Sequence, residues 1–194
     1  MNPQITAKGS TPPVSLSEAK TSQRITGTGE DASHEDTLDS AIEMAENSTG
    51  RALRENTYTL RLQGFSDPEF VVNGVIRIPV FPLISITSVR YYDTDNVLQT
   101  LISDTDYEVN QYAEPGIIKP VSGKNWPSTK DKFNSVEVVF VAGYTNTGLD
   151  MPSLEIKQGI KMLFGEWNEK RENFSGRRLP TSVEVLFLRN KTIY

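Results

Sequence analysis

The chain has 194 residues, a formal net charge of −5, a single histidine and no cysteine. The lack of cysteine excludes disulfides, thiol catalysis and thiolate metal sites. One histidine, His34, cannot build a multi-histidine metal centre within one chain. No apolar run reaches the length of a membrane span, and the opening residues MNPQITAKGSTPP lack a signal-peptide core. A soluble cytosolic protein with no membrane partner is expected.

Charge is unevenly spread. Glu30 to Glu46 contains seven acidic residues and no lysine or arginine, whereas Asn168 to Tyr194 holds six basic residues against three acidic ones. Such asymmetry can orient subunits or steer a partner. An acidic surface argues against sequence-specific DNA binding, which needs basic groups to neutralise phosphates.

Residues 1–14 are polar and end near Thr11-Pro12-Pro13, the composition of a flexible arm. Ser15-Leu16-Ser17-Glu18 fits a capping box and predicts a short helix to about Arg24 or Ile25. A second helix is predicted from about His34 to Thr49, with Leu38, Ala41, Ile42 and Ala45 as its apolar stripe and Gly50 as its C-cap. His34, in the acidic run EDASHEDTLD, is expected at the solvated surface.

After Asn56 the apolar period changes from 3.6 to 2. Tyr58, Leu60 and Leu62 mark one strand and Val75–Val80 a second. Between Ile84 and Tyr92 the apolar phase slips, which predicts a bulge near Thr87-Ser88. Asp93–Asn96 is a turn leading to a hairpin partner at Val97–Leu101. Its Asp-x-Asp-Asn spacing is not a calcium loop, because Val97 stands where a polar ligand is needed. Tyr107–Asn110 and Ile117–Lys119 predict another hairpin, around Pro115-Gly116. Val136–Tyr144 is apolar on both faces and reads as a central strand. Asp104, Asp106 and Glu108 lie in a turn-to-strand segment without a pocket signal and are not read as catalytic.

The long helix Pro152–Arg171 carries Ile156, Ile160, Leu163, Phe164 and Trp167 on one stripe, expected to pack on the Leu38–Ala45 stripe with Trp167 buried. Residues 172–178 are a polar loop, and Pro180 opens a short last helix through Val183, Leu186 and Phe187. The fold class expected is α+β: a helical core, made of an N-terminal helix pair and a long C-terminal helix, with an inserted antiparallel β-unit. The expected divisions are an arm at 1–14, a helical core at 15–56 and 151–188, a β-unit at 57–150 and a tail at 189–194.

Several segments in this order carry a resemblance. They are Ser15–Lys20, Thr49-Gly50-Arg51-Ala52-Leu53, Tyr58-Thr59-Leu60, Ile78–Leu83, Ser88–Asp93, Trp126-Pro127, Val139–Tyr144, Met151-Pro152, Trp167–Glu172 and Leu179-Pro180. As an ordered set spanning about Val14 to Leu188, they resemble the head–tail connector (adaptor, or head-completion) proteins of long-tailed bacteriophages and prophages. The resemblance implies a structural virion protein that binds the portal vertex as a ring, a dodecamer, and extends the DNA channel. It implies a portal protein on one side and a tail-side head-completion or stopper protein on the other. It implies no enzyme activity and no cofactor or metal.

Two surfaces are assigned on that reading. The basic, partly apolar C-terminal segment is the expected portal-docking element: Arg177, Arg178, Leu186, Phe187, Leu188, Arg189, Lys191, Ile193 and Tyr194. The acidic helix residues Glu35, Asp36, Asp39, Glu43 and Glu46 are the expected channel lining, since DNA must pass without adhering. An alternative is a host-surface carbohydrate-binding module, with Trp126, Tyr91 and Tyr92 of the β-insertion as an aromatic platform.

Overall fold

The computed structural model describes residues 3–148, 150–169 and 179–191. In chain order the elements begin with β1 (Gln4–Ala7), α1 (Leu16–Ser22), α2 (Asp31–Thr49), β2 (Asn56–Leu62), β3 (Val71–Val72) and β4 (Val75–Ile78). They continue with β5 (Leu83–Tyr92), β6 (Leu98–Leu101), β7 (Tyr107–Asn110), β8 (Gly116–Pro120), β9 (Val136–Ala142), α3 (Leu154–Glu169) and α4 (Thr181–Leu188). The fold is mixed α+β, and its β part is larger than the small insertion expected from sequence. The chain divides into a helical unit, Thr11–Leu53 with Tyr144–Tyr194, and a β-unit, Met1–Ser10 with Arg54–Gly143.

In the helical unit, the Ser15 hydroxyl accepts from the Glu18 backbone N–H at 3.2 Å, and the Glu18 carboxylate accepts from the Ser15 N–H at 2.9 Å. This reciprocal cap satisfies donors that a helix start leaves orphaned and fixes where α1 begins. Helix α2 begins three residues before His34 and stops at Gly50, whose φ of 71° is the left-handed turn glycine adopts without strain. Because α2 starts at Asp31, His34 falls on the same stripe as Leu38, Ala41 and Ala45. The imidazole is therefore buried rather than solvated, with its ring edge-on to Phe164 at 6.0 Å.

Helix α3 is capped by Ser153, whose hydroxyl accepts from the Ile156 N–H at 3.3 Å; Pro152 lies just outside the helix rather than in its first turn. Ile156, Ile160, Leu163 and Phe164 join Leu38, Ala41, Ile42 and Ala45 in one buried core, completed by Val183 and Phe187 from α4. Each large side chain removed from water in this way contributes roughly 1.5–3 kcal/mol. Trp167 packs against the margin of that core and is only partly buried, contrary to the expectation from the stripe. Phe164, three residues earlier, already meets His34 in the first turn of α2.

Asn146 has a left-handed backbone (φ 57°), and its side-chain Nδ2 donates to three carbonyls: Thr11 at 3.0 Å, Leu53 at 3.0 Å and Tyr144 at 3.2 Å.

The β-unit holds two antiparallel sheets, a five-stranded one in the order β1-β2-β9-β5-β6 and a four-stranded one in the order β3-β4-β8-β7. β9 is central, as its two apolar faces require, with Val136, Val138, Phe140 and Ala142 buried. Tyr58 and Phe140 are register partners and stack at 5.4 Å. The register of β5 against β9 shifts between Leu83 and Ser85 and again between Ile86 and Ser88, so the phase slip is a bulge. Asn96, with φ 64°, makes the β5–β6 turn.

Two parts of this unit were not expected. Residues 4–7 of the predicted flexible arm form β1 and pair with β2. β3 and β4 form a hairpin on Asn73 (φ 52°) and Gly74 (φ 75°), the backbone pair that a two-residue hairpin turn needs.

Candidate interaction surfaces

Among the described residues, no group of three or more histidine, aspartate or glutamate side chains is placed to hold a metal. Asp106 is occupied structurally. One carboxylate oxygen accepts from the Ile102 N–H at 2.9 Å and the other pairs with Lys124 at 2.9 Å, and these contacts hold its carboxyl below the ordinary range. Glu108 pairs with Lys119 at 3.2 Å. Asp93 accepts from the Gln99 amide and from the Val97 and Asp95 N–H groups, which lowers its pKa and makes it a turn organiser.

The three aromatic side chains weighed as a carbohydrate platform do not form one. Trp126 stacks on Phe65 with centroids 4.6 Å apart, and its indole N–H donates to the Gly74 carbonyl at 2.7 Å. Tyr91 meets the same Phe65 edge-on at 5.7 Å. The Tyr92 ring is covered by the Lys132 ammonium, 3.0 Å from its centroid. A cleft of about 520 Å³ lies nearby, between residues 63–68 and 129–133. Its lysines brace the β5–β6 turn, Lys130 donating to the Thr94 carbonyl and Lys132 to the Asn96 side chain.

On α2, Glu35, Asp36, Asp39 and Glu43 are exposed on the side away from the core, a continuous acidic ridge. Glu46 is different. Its carboxylate accepts from the Leu53 N–H at 2.7 Å, so it anchors the chain leaving α2. No lysine or arginine occupies the last turn of this helix, so its negative character runs unrelieved to the C-terminus.

The C-terminal segment divides between core and surface. Phe187 is buried against α3, where a Cβ placed on Gly159 would come within 2.5 Å of its ring. Phe187 is thus a core residue and not a free docking anchor, and Leu186 is half-buried. Val185, Leu188, Arg189 and Lys191 are exposed, with Leu154 also exposed at the start of α3. Asn190 ties the segment down: it accepts from the Ser153 hydroxyl at 2.8 Å and donates to Glu155 at 2.9 Å, while its carbonyl accepts from Arg51 at 3.1 Å. Arg189 approaches Glu155 at 3.4 Å. Arg177, Arg178, Ile193 and Tyr194 lie outside the described residues.

Over its whole length the chain has the fold of gene transfer agent neck and virion chains. A chain from the neck of the empty gene transfer agent (GTA) particle, computed with C6 symmetry, matches with a TM-score of 0.73 at 21% identity. A chain from the virion of the native particle matches at 0.76 and 20%, and one from the native neck computed with C12 symmetry at 0.70 and 19%. Each match covers 100% of this chain and 97% of the other. Neither protein-family models nor curated proteins match the sequence. None of the described helices is long and apolar enough to cross a membrane.

Proposed function

We propose that the chain is a structural subunit of a phage-like neck, a head–tail connector that assembles as a ring on the portal vertex and extends the DNA channel toward the tail. The observation that carries this reading is the end-to-end fold match to chains of particles whose necks were computed with C6 and C12 symmetry. The match takes in both the helical unit and the β-unit. Two of the carboxylates weighed for catalysis have structural partners: Asp106 is tied to the Ile102 N–H and Lys124, and Glu108 is paired with Lys119.

In this reading the portal is engaged by the exposed part of the C-terminal segment, Leu188, Arg189 and Lys191 with Val185 beside them. The apolar side chains give contact area, and the cations fix register against carboxylates at the portal rim. The acidic ridge of Glu35, Asp36, Asp39 and Glu43 lines the channel, where like charge keeps DNA from adhering. A tail-side head-completion or stopper protein docks on the opposite rim, and the virion is where the protein acts.

The test is to mix the purified chain with portal-bearing heads and weigh and image the product. A ring of twelve copies at the portal vertex is the expected result. A chain that stays monomeric and leaves the heads undecorated would overturn the reading.

A further inference from the structure

Among the described residues, the five-stranded sheet ends in two edges that no further strand pairs, β1 on one side and β6 on the other. Both strands have four residues, and all of these are exposed except the half-buried Leu101. Every pairing between them is antiparallel, so four successive reversals leave β6 running in the same direction as β1.

The two edges also share a face. Ile5 is opposite Tyr58, which is opposite Phe140; Leu101 is opposite Val89, which is opposite Val138. Phe140 and Val138 are two residues apart on one strand and point the same way. Ile5 and Leu101 are therefore the outermost apolar residues on the face that carries the buried Tyr58, Leu60, Val138 and Phe140.

A cyclic ring needs a contact that joins two different patches of the same chain, whereas a patch that pairs with itself stops at a dimer. We propose that β6 of one copy pairs in parallel with β1 of the next, so that the sheet continues from subunit to subunit around the ring. This rests on the neck-ring reading above and specifies its contact. Same-direction strands are what a head-to-tail continuation requires; β6 pairing with β6 would be two-fold and antiparallel.

The ladder is short, and parallel pairing is somewhat weaker per residue than antiparallel. The contact accordingly forms where a template holds copies side by side, and not in dilute solution.

The cysteine-free chain allows a direct test. Gln4→Cys and Leu98→Cys place thiols on exposed positions of the two edges, on the face opposite Ile5. The double variant, assembled on portal-bearing heads and treated with a short bismaleimide, should give a covalent ladder rising past the dimer. Each single variant should stay monomeric on denaturing gels. The pair Thr6→Cys with Thr100→Cys repeats the test should the first variant fold poorly. Cross-linking of the Leu98→Cys single variant to a dimer would mean two-fold pairing and overturn the proposal. Rings seen at the portal without any ladder in either pair would overturn it while leaving the neck reading intact. Undecorated heads with wild-type protein would remove both.

Discussion

Gly159 on α3 and Phe187 on α4 form a contact that only a hydrogen at position 159 permits, since a Cβ there would lie 2.5 Å from the Phe187 ring. Glycine inside a helix normally costs about 1 kcal/mol relative to alanine. Here that cost is outweighed by a buried phenyl ring. Gly159→Ala is therefore expected to destabilise by about 1–3 kcal/mol through overpacking, despite its better helix propensity. Phe187→Ala should cost about 3–5 kcal/mol. Adding Phe187→Leu to Gly159→Ala should recover part of the loss, and denaturant midpoints for the three variants check the set.

Within the helical unit, Phe164 and not Trp167 is the aromatic centre. Phe164 is fully buried and meets His34 edge-on, while Trp167 packs only at the margin. Phe164→Ala should lower stability by about 3–5 kcal/mol, with Trp167→Ala costing clearly less. Equal midpoints for the two variants would contradict this ranking.

The cap on α1 gives a signed pH dependence. Hydrogen bonding from the Ser15 backbone N–H, opposed by partial burial and aided by Lys157, lowers the Glu18 pKa below its ordinary value of 4.5. A carboxyl with a lowered folded pKa stabilises the native state above its unfolded pKa, and that contribution is lost as pH falls through the folded value. The difference in melting temperature between wild type and Glu18→Gln should therefore be constant near neutrality and shrink in acid. A difference that does not change with pH would show that the charge is not involved.

The C-terminal segment calls for point variants. Removing residues 189–194 would delete Asn190, which bonds to Ser153, Glu155 and Arg51, so such a truncation would confuse stability with docking. Leu188→Asp avoids that. Leu188 is 55% exposed, so the melting curve should move by no more than about 0.5 kcal/mol in free-energy terms. Attachment to portal-bearing heads should be lost. Normal attachment would place the docking surface elsewhere.

On α2, reversing Glu35 and Asp36 to lysine should make the assembled ring retain DNA in a salt-sensitive way, measured by the ionic strength needed for release. The fold should be unaffected, because both side chains point away from the core. Glu46 is a poor choice for the same experiment, because Glu46→Lys would also remove the acceptor for the Leu53 N–H.

Most of the elements were legible because their periods are clean. The stripes of α2 and α3, the capping box, the slip in β5 and the two-faced β9 all follow from residue spacing alone. His34 is buried because it stands four residues before Leu38, on the apolar stripe, a phase that its acidic neighbours mask. The β3–β4 hairpin has its signal in Asn73-Gly74 between valines. β1 gave no comparable signal, since its four residues are exposed and gain their conformation from the edge of β2, far away in sequence. The structural duties of Glu46 and Asn190 were equally hidden, because each depends on a partner brought close only by folding.

Asn146 has a consequence for how such a chain can diversify. Its amide nitrogen holds the Leu53 and Tyr144 carbonyls, both within 3.2 Å, together with that of Thr11. Leu53 is the last residue before the chain departs to build the β-unit, and Tyr144 is the first after it returns. The two stumps are thus clasped within the helical unit itself, and the closure does not depend on what is threaded between them. Such a clasp turns the site into a socket. Sheets of other sizes could be exchanged at this point while α1 to α4 kept their packing, so that the β-unit is free to change independently of the helical unit.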